Sequence, residues 1–110
     1  MSIRIEKIND LVRQNVNDIL TRDLSLKSGV FITIAKVDTT PDLRYTRVFV
    51  SIFPDKETVY AMRTLEKEIY HIQGELNKKL HMKPLPKIEF RADFTESKAD
   101  EIEKLLKNIH

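Results

Sequence analysis

Residues 56–80 carry the pattern that most limits what this chain can fold into. Val59, Met62, Leu65, Ile69, Ile72, Leu76 and Leu80 recur at steps of three and four, the spacing that lines side chains along one side of an α-helix. An apolar stripe of that length has to face a core. On the other side, Lys56, Arg63, Lys67, His71, Gly74 and Lys78 fall into one row, with Glu57, Glu68 and Glu75 beside it. Arg63 and Lys67 are like charges at i,i+4, which costs an isolated helix roughly 0.2–0.5 kcal/mol. A helix stabilised by its own surface would alternate signs, so the segregated row points to an anionic partner. The plainer reading is a solvated face, with Glu75 pairing Lys79 at i,i+4.

The other segments switch between helical and strand periods. Ile5, Ile8, Val12, Val16 and Ile19, joined by Leu11 and Leu20, predict a first helix over residues 4–21. Residues 22–29 break the pattern, and Gly29 before Val30-Phe31-Ile32-Thr33-Ile34 marks a loop into a β-branched strand that runs to about Val37. Asp38-Thr39-Thr40-Pro41-Asp42 predicts a hairpin turn, with Asp38 and Asp42 as turn formers whose short side chains bond nearby amides. Residues 44–53 alternate again, Val48, Val50 and Ile52 on one face and Arg47, Phe49 and Ser51 on the other.

Pro54-Asp55 ends that strand, and Asp55 is expected to cap the long helix. A straight helix over residues 56–80 would measure about 37 Å, longer than the roughly 30 Å width of so small a domain. A bend or break is therefore expected, with Gly74 as one candidate hinge. Pro84 and Pro86 forbid helix, and Lys87-Ile88-Glu89-Phe90-Arg91 reads as a third strand with Ile88 and Phe90 inward. Thr95 is placed to cap a last helix with Ala99, Ile102, Leu105, Leu106 and Ile109 as its stripe.

The resulting fold class is α+β in the order α-β-β-α-β-α. A right-handed crossover through the long helix sets the third strand parallel to the second, giving a three-stranded mixed sheet with helices on one face. Val48, Val50, Leu65, Ile69, Ile72, Ile88 and Phe90 are the expected shared core. The 110 residues read as a single domain over 1–110, able to remove about 60–68% of the unfolded chain's surface. The absence of cysteine leaves no disulfide framework or thiol nucleophile and suits a reducing compartment. The N-terminal stretch is polar, and no run approaches about 18 apolar residues. A cytoplasmic, monomeric chain with no membrane partner is expected.

A net charge of +2 with pI about 8.9 is too mild to diagnose a nucleic-acid partner, so distribution has to carry the argument. Between residues 78 and 91, Lys78, Lys79, Lys83, Lys87 and Arg91 face one acid, Glu89. From residue 93 onward Asp93, Glu96, Asp100, Glu101 and Glu103 outnumber Lys98, Lys104 and Lys107. Basic and acidic stretches are segregated along the chain.

Val37-Asp38-Thr39-Thr40-Pro41-Asp42-Leu43-Arg44-Tyr45-Thr46-Arg47-Val48-Phe49-Val50-Ser51 resembles the signature hairpin of the ribosome-binding factor A family. Arg4-Ile5 with Ile19-Leu20 is similar to that family's first helix, residues 72–80 to the end of its long helix, and residues 86–93 to its last strand. The resemblance implies a KH-like fold of the second topological type (type II) and no enzymatic activity. It also implies binding to precursor 16S rRNA on free, immature 30S subunits, in support of late 30S maturation and 16S rRNA processing. Family members replace the GxxG loop of true KH domains with a small-residue kink in the long helix, and the matching positions here are Glu68, Ile69 and Tyr70. Gln73 stands where an arginine is common, and Ser25-Leu26-Lys27 where the family carries Asp-Pro-Arg.

The candidate RNA-binding residues are Arg63, Lys67, Lys78, Lys79, Lys83, Lys87 and Arg91, with Arg4 and Arg47 beside them, as one phosphate-binding surface from the helix row to the third strand. Asp38, Asp42, Asp93, His71 and His81 lack the paired spacing of a metal or acid–base site, and two isolated glycines make no phosphate cradle. No catalytic residue, metal, cofactor or small-molecule substrate is expected. Phe49, beside Arg47 on the outer sheet face, could stack a base, although a lone outward aromatic more often covers its neighbours. The other function class is a KH-like protein-interaction module that meets an acidic protein without touching RNA.

Overall fold

The computed structural model describes residues 3–81 and 85–93. Its elements are α1 (Ile3–Asp23), β1 (Phe31–Thr39), β2 (Tyr45–Phe53), a 3-10 turn (Asp55–Glu57), α2 (Thr58–Lys67), α3 (Ile69–Lys79) and β3 (Lys87–Ala92). The last helix expected after Thr95, and Lys83, lie outside the described residues.

β2 is the central strand, antiparallel to β1 and parallel to β3, as a right-handed crossover through α2 and α3 requires. Thr46, Val48, Val50 and Ile52 of β2 are all buried, so the period-2 alternation puts one face of the sheet against the helices. Ile34 of β1 and Ile88 of β3 share that face. A bulge between Ile34 and Lys36 absorbs Ala35, so that Ile32 and Ile34 before it, and Val37 and Thr39 after it, all point to the core side. Arg13 of α1 donates to the Ile34 carbonyl at 3.4 Å, tying helix to strand at the bulge.

From α1 the core takes Ile8, Val12, Val16, Ile19 and Leu20. Leu11, expected in that stripe, is 44% exposed at its margin. At the far end of the hairpin a buried polar chain replaces apolar packing: Thr39 donates to Asn9 Oδ1 at 2.6 Å and meets Thr46 Oγ1 at 2.9 Å. Every buried side-chain polar atom described has a partner, so this contact adds specificity without an unsatisfied group.

The hairpin turn forms as its residues predict. Thr40 N–H donates to Tyr45 C=O at 2.9 Å, and Asp42 Oδ1 accepts from Thr40 Oγ1 at 2.6 Å and from Arg44 N–H at 3.1 Å. The positive φ of 61° falls on Leu43. Asp38 is not a turn former: β1 runs to Thr39 and sets Asp38 opposite Arg47.

The long helix breaks at Glu68, which separates α2 from α3 with φ −94° and ψ 3°. The ladder bridges the break, because Glu68 N–H bonds Thr64 C=O at 3.1 Å and Ile72 N–H bonds Glu68 C=O at 2.9 Å. Gly74 is no hinge; it lies within α3. The buried stripe runs on across the break. Ala61 and Leu65 are buried in α2 and Ile72 and Leu76 in α3, whereas Val59 is 63% exposed and Ile69 only half-buried. Ile69 therefore leaves the expected core, and Phe90 packs against it while partly buried. Asp55 does not cap the long helix: it opens the 3-10 turn, and Glu57, which precedes α2, makes no side-chain cap bond.

Candidate nucleic-acid interface

The described cations divide between two sides of the sheet. Arg63 and Lys67 are exposed on α2, opposite the buried Ala61 and Leu65. Lys78 and Lys79 occupy the last turn of α3, where a helix C-terminus favours positive charge. Arg4 is exposed in the first turn of α1. Arg47, Lys87 and Arg91 project from the face of the sheet that carries no helix, because their neighbours Thr46, Val48 and Ile88 are buried on the other. The helix row and the strand cations therefore do not form one surface.

Two members of the helix row, His71 and Lys78, are engaged at home. Asp23, closing α1, takes Arg22 Nε at 2.8 Å and His71 Nε2 at 2.9 Å. Arg22 Nη2 and Lys78 Nζ reach Glu75 at 3.4 and 3.5 Å. The hydrogen bonds from Arg22 and then His71 hold the Asp23 carboxyl well below the usual carboxylate range. At the hairpin, hydrogen bonds from the Thr40 hydroxyl and then the Arg44 N–H lower the pKa of Asp42. By contrast, Arg63, Lys67, Lys79 and Lys87 join no ion pair among the described residues. Cations without local acids are the ones whose counterions a phosphate displaces.

Residues the sequence reading passed over hold the helices in place. The side chain of Gln73 accepts from Ile88 N–H at 2.8 Å and donates to Pro86 C=O at 3.2 Å. It thereby pins α3 to the free edge of β3. Lys27 reaches Glu57 Oε2 at 2.7 Å, lies 4.7 Å from the centre of the Tyr60 ring and donates its N–H to the Tyr60 hydroxyl at 2.9 Å. That anchors the loop before β1 to the start of α2. Both positions stand out in sequence as departures from the family pattern, which is the signal that could have found them.

No group of three or more His, Asp or Glu side chains is placed to hold a metal ion among the described residues. No helix among them is long and apolar enough to cross a membrane. The sheet order and the broken long helix match the KH-like type II arrangement.

The family model described as ribosome-binding factor A matches residues 4–106. Ribosome-binding factor A of Natranaerobius thermophilus is 37% identical over 109 residues, 98% of this chain and 83% of that protein. That of Chlorobium phaeobacteroides is 35% identical over 112 residues, covering 99% and 96%. Among solved structures, the crystal structure of ribosome-binding factor A from Thermus thermophilus superposes with a TM-score of 0.69 at 18% identity, over 80% of this chain and 94% of that one. A homology model of the Thermus thermophilus ribosome-binding factor A, fitted into the cryo-EM map of its complex with 30S, gives 0.63 at 18% identity, over 87% and 98%. With the match running through nearly all of its length, the chain belongs to the ribosome-binding factor A family.

Proposed function

We propose that this protein is a non-catalytic, monomeric cytoplasmic factor, one KH-like domain over residues 1–110. In this reading it binds 16S rRNA on free, immature 30S particles and assists late subunit maturation and rRNA processing. The observation that carries the reading is the exposed pair Arg63 and Lys67, like charges on one helix turn with no acid paired to either among the described residues. Such a pair is unfavourable alone and favourable against phosphate. The family's name and the 30S complex of the Thermus thermophilus member supply the partner. We assign Lys78 and Lys79, in the last turn of α3, to the same surface, Lys78 by giving up Glu75.

Phosphate contacts position a protein without reading bases, so affinity should fall steeply with salt and depend little on sequence. Arg63→Glu with Lys67→Glu touches no buried position and should leave the fold intact. The 30S affinity is expected to drop, and the log–log salt slope to shrink by roughly one or two. Wild-type affinity at every salt concentration would remove α2 from the interface. Capture of 30S particles that survives complete RNA digestion would favour the protein-interaction reading instead.

A further inference from the structure

The face of the sheet that no described helix covers has a composition its alternation does not require. Register places Phe31 opposite Phe53, Lys36 and Arg91 on either side of Phe49, and Lys87 beside Tyr45. No described residue of this face is buried. Phe31 and Phe53 are 63% and 68% exposed although they are cross-strand partners, so their rings cover each other only in part. Tyr45, Phe49 and Phe53 recur every fourth residue along β2, about 13 Å apart. Lys36 Nζ stands 5.7 Å from the centre of the Phe49 ring. Among its described residues the face carries two acids, Asp38 opposite Arg47 and Glu89, which Arg47 at 3.7 Å and Arg91 at 3.4 Å share, against the four cations Lys36, Arg47, Lys87 and Arg91.

We infer that this face is a second binding surface, one that takes a single-stranded RNA segment with bases stacked on Phe31, Phe53 and Phe49 and phosphates on Lys36, Lys87 and Arg91. The inference rests on the rRNA reading above and adds a site on the opposite side of the sheet. Aromatic rings interleaved with cations are what single strands require, since every base offers a π-face and every linkage a charge. A protein partner would instead favour a patch whose centre is depleted of charge, and here cations flank the central ring on both neighbouring strands.

The chain contains no tryptophan, so Phe53→Trp introduces a unique reporter. Unstructured oligouridine and oligoadenine RNA, titrated into the full-length variant at low salt, should quench the indole. Phe31→Ala with Phe53→Ala, substitutions on exposed positions, should weaken oligomer binding by about ten-fold while thermal unfolding is unchanged. Three results would each overturn the inference: emission indifferent to either oligomer, equal affinity in the double variant, or an emission change that follows protein concentration without RNA and so reports a second copy on this face. The Arg63→Glu, Lys67→Glu protein separates the two readings. If it loses 30S particles while wild type shows no oligomer binding, only the sheet-face inference falls. If wild type itself binds no 30S particles, the rRNA reading falls with it.

Discussion

Gly74 lies in the middle of α3, and no atom outside its own helical turn comes within 4 Å of where a Cβ would stand. Alanine there restricts the unfolded chain and adds no clash, so Gly74→Ala should raise stability by about 1 kcal/mol. A higher urea midpoint at unchanged slope would show it; a lower one would restore a hinge role to the glycine. Asp23 gives a second test at this scale, in pH. Its folded-state pKa is depressed by Arg22 and His71, so the stabilisation is complete above about pH 4, the ordinary aspartate value. It is lost as pH falls from there toward the folded value. Arg22→Ala should move the Asp23 titration back up, as followed by NMR of the carboxyl carbon. An unmoved titration would shift the cause to His71.

At the level of elements, one side chain joins α3 to β3. Gln73→Ala would strand the Ile88 N–H and the Pro86 C=O at a half-buried joint, at a cost of about 1–3 kcal/mol. Amide exchange at Ile88 should accelerate while exchange in α1 keeps pace with the global loss; equal protection at Ile88 would show that solvent replaces the glutamine. The elements themselves were largely legible, because Ile8, Val12, Val16 and Ile19 keep a helical period and Val48, Val50 and Ile52 a strand period. The site of the break was not legible from propensity. Glu68 is a good helix former, and what sets it apart here is its bridge-region backbone. Only the resemblance pointed to that position, whereas local chemistry pointed to Gly74. Ile72, Leu76 and Leu80 beyond the break keep the burial their period assigns; Ile69, the residue next to the break, is only half-buried, and Val59 is exposed in the first turn of α2.

For the whole molecule, the two-sided sheet decides which cations can act together. Nearly all the candidate residues were visible as charges, but their grouping was not. Pooling Lys87 and Arg91 with Lys78 and Lys79 followed nearness along the chain, although the inward Ile88 already requires its strand neighbours to point away from the helices. Contacts such as Arg13 to Ile34 and Asn9 to Thr39 span 21 and 30 residues and leave no local signature. The bulge at Ala35 has a further consequence, for how this chain tolerates changes in length. Ala35 is the extra residue, so removing it leaves Lys36, Asp38 outward and Val37, Thr39 inward, as before. Removing Asp38 instead turns Thr39 outward and takes it from Asn9 and Thr46. The Ala35 deletion should therefore still fold, with a circular dichroism spectrum and cooperative melt like those of wild type, whereas the Asp38 deletion should melt at a clearly lower temperature. β1 thus carries a phase correction: a single codon can be lost at Ala35 without reversing what any later residue of the strand faces.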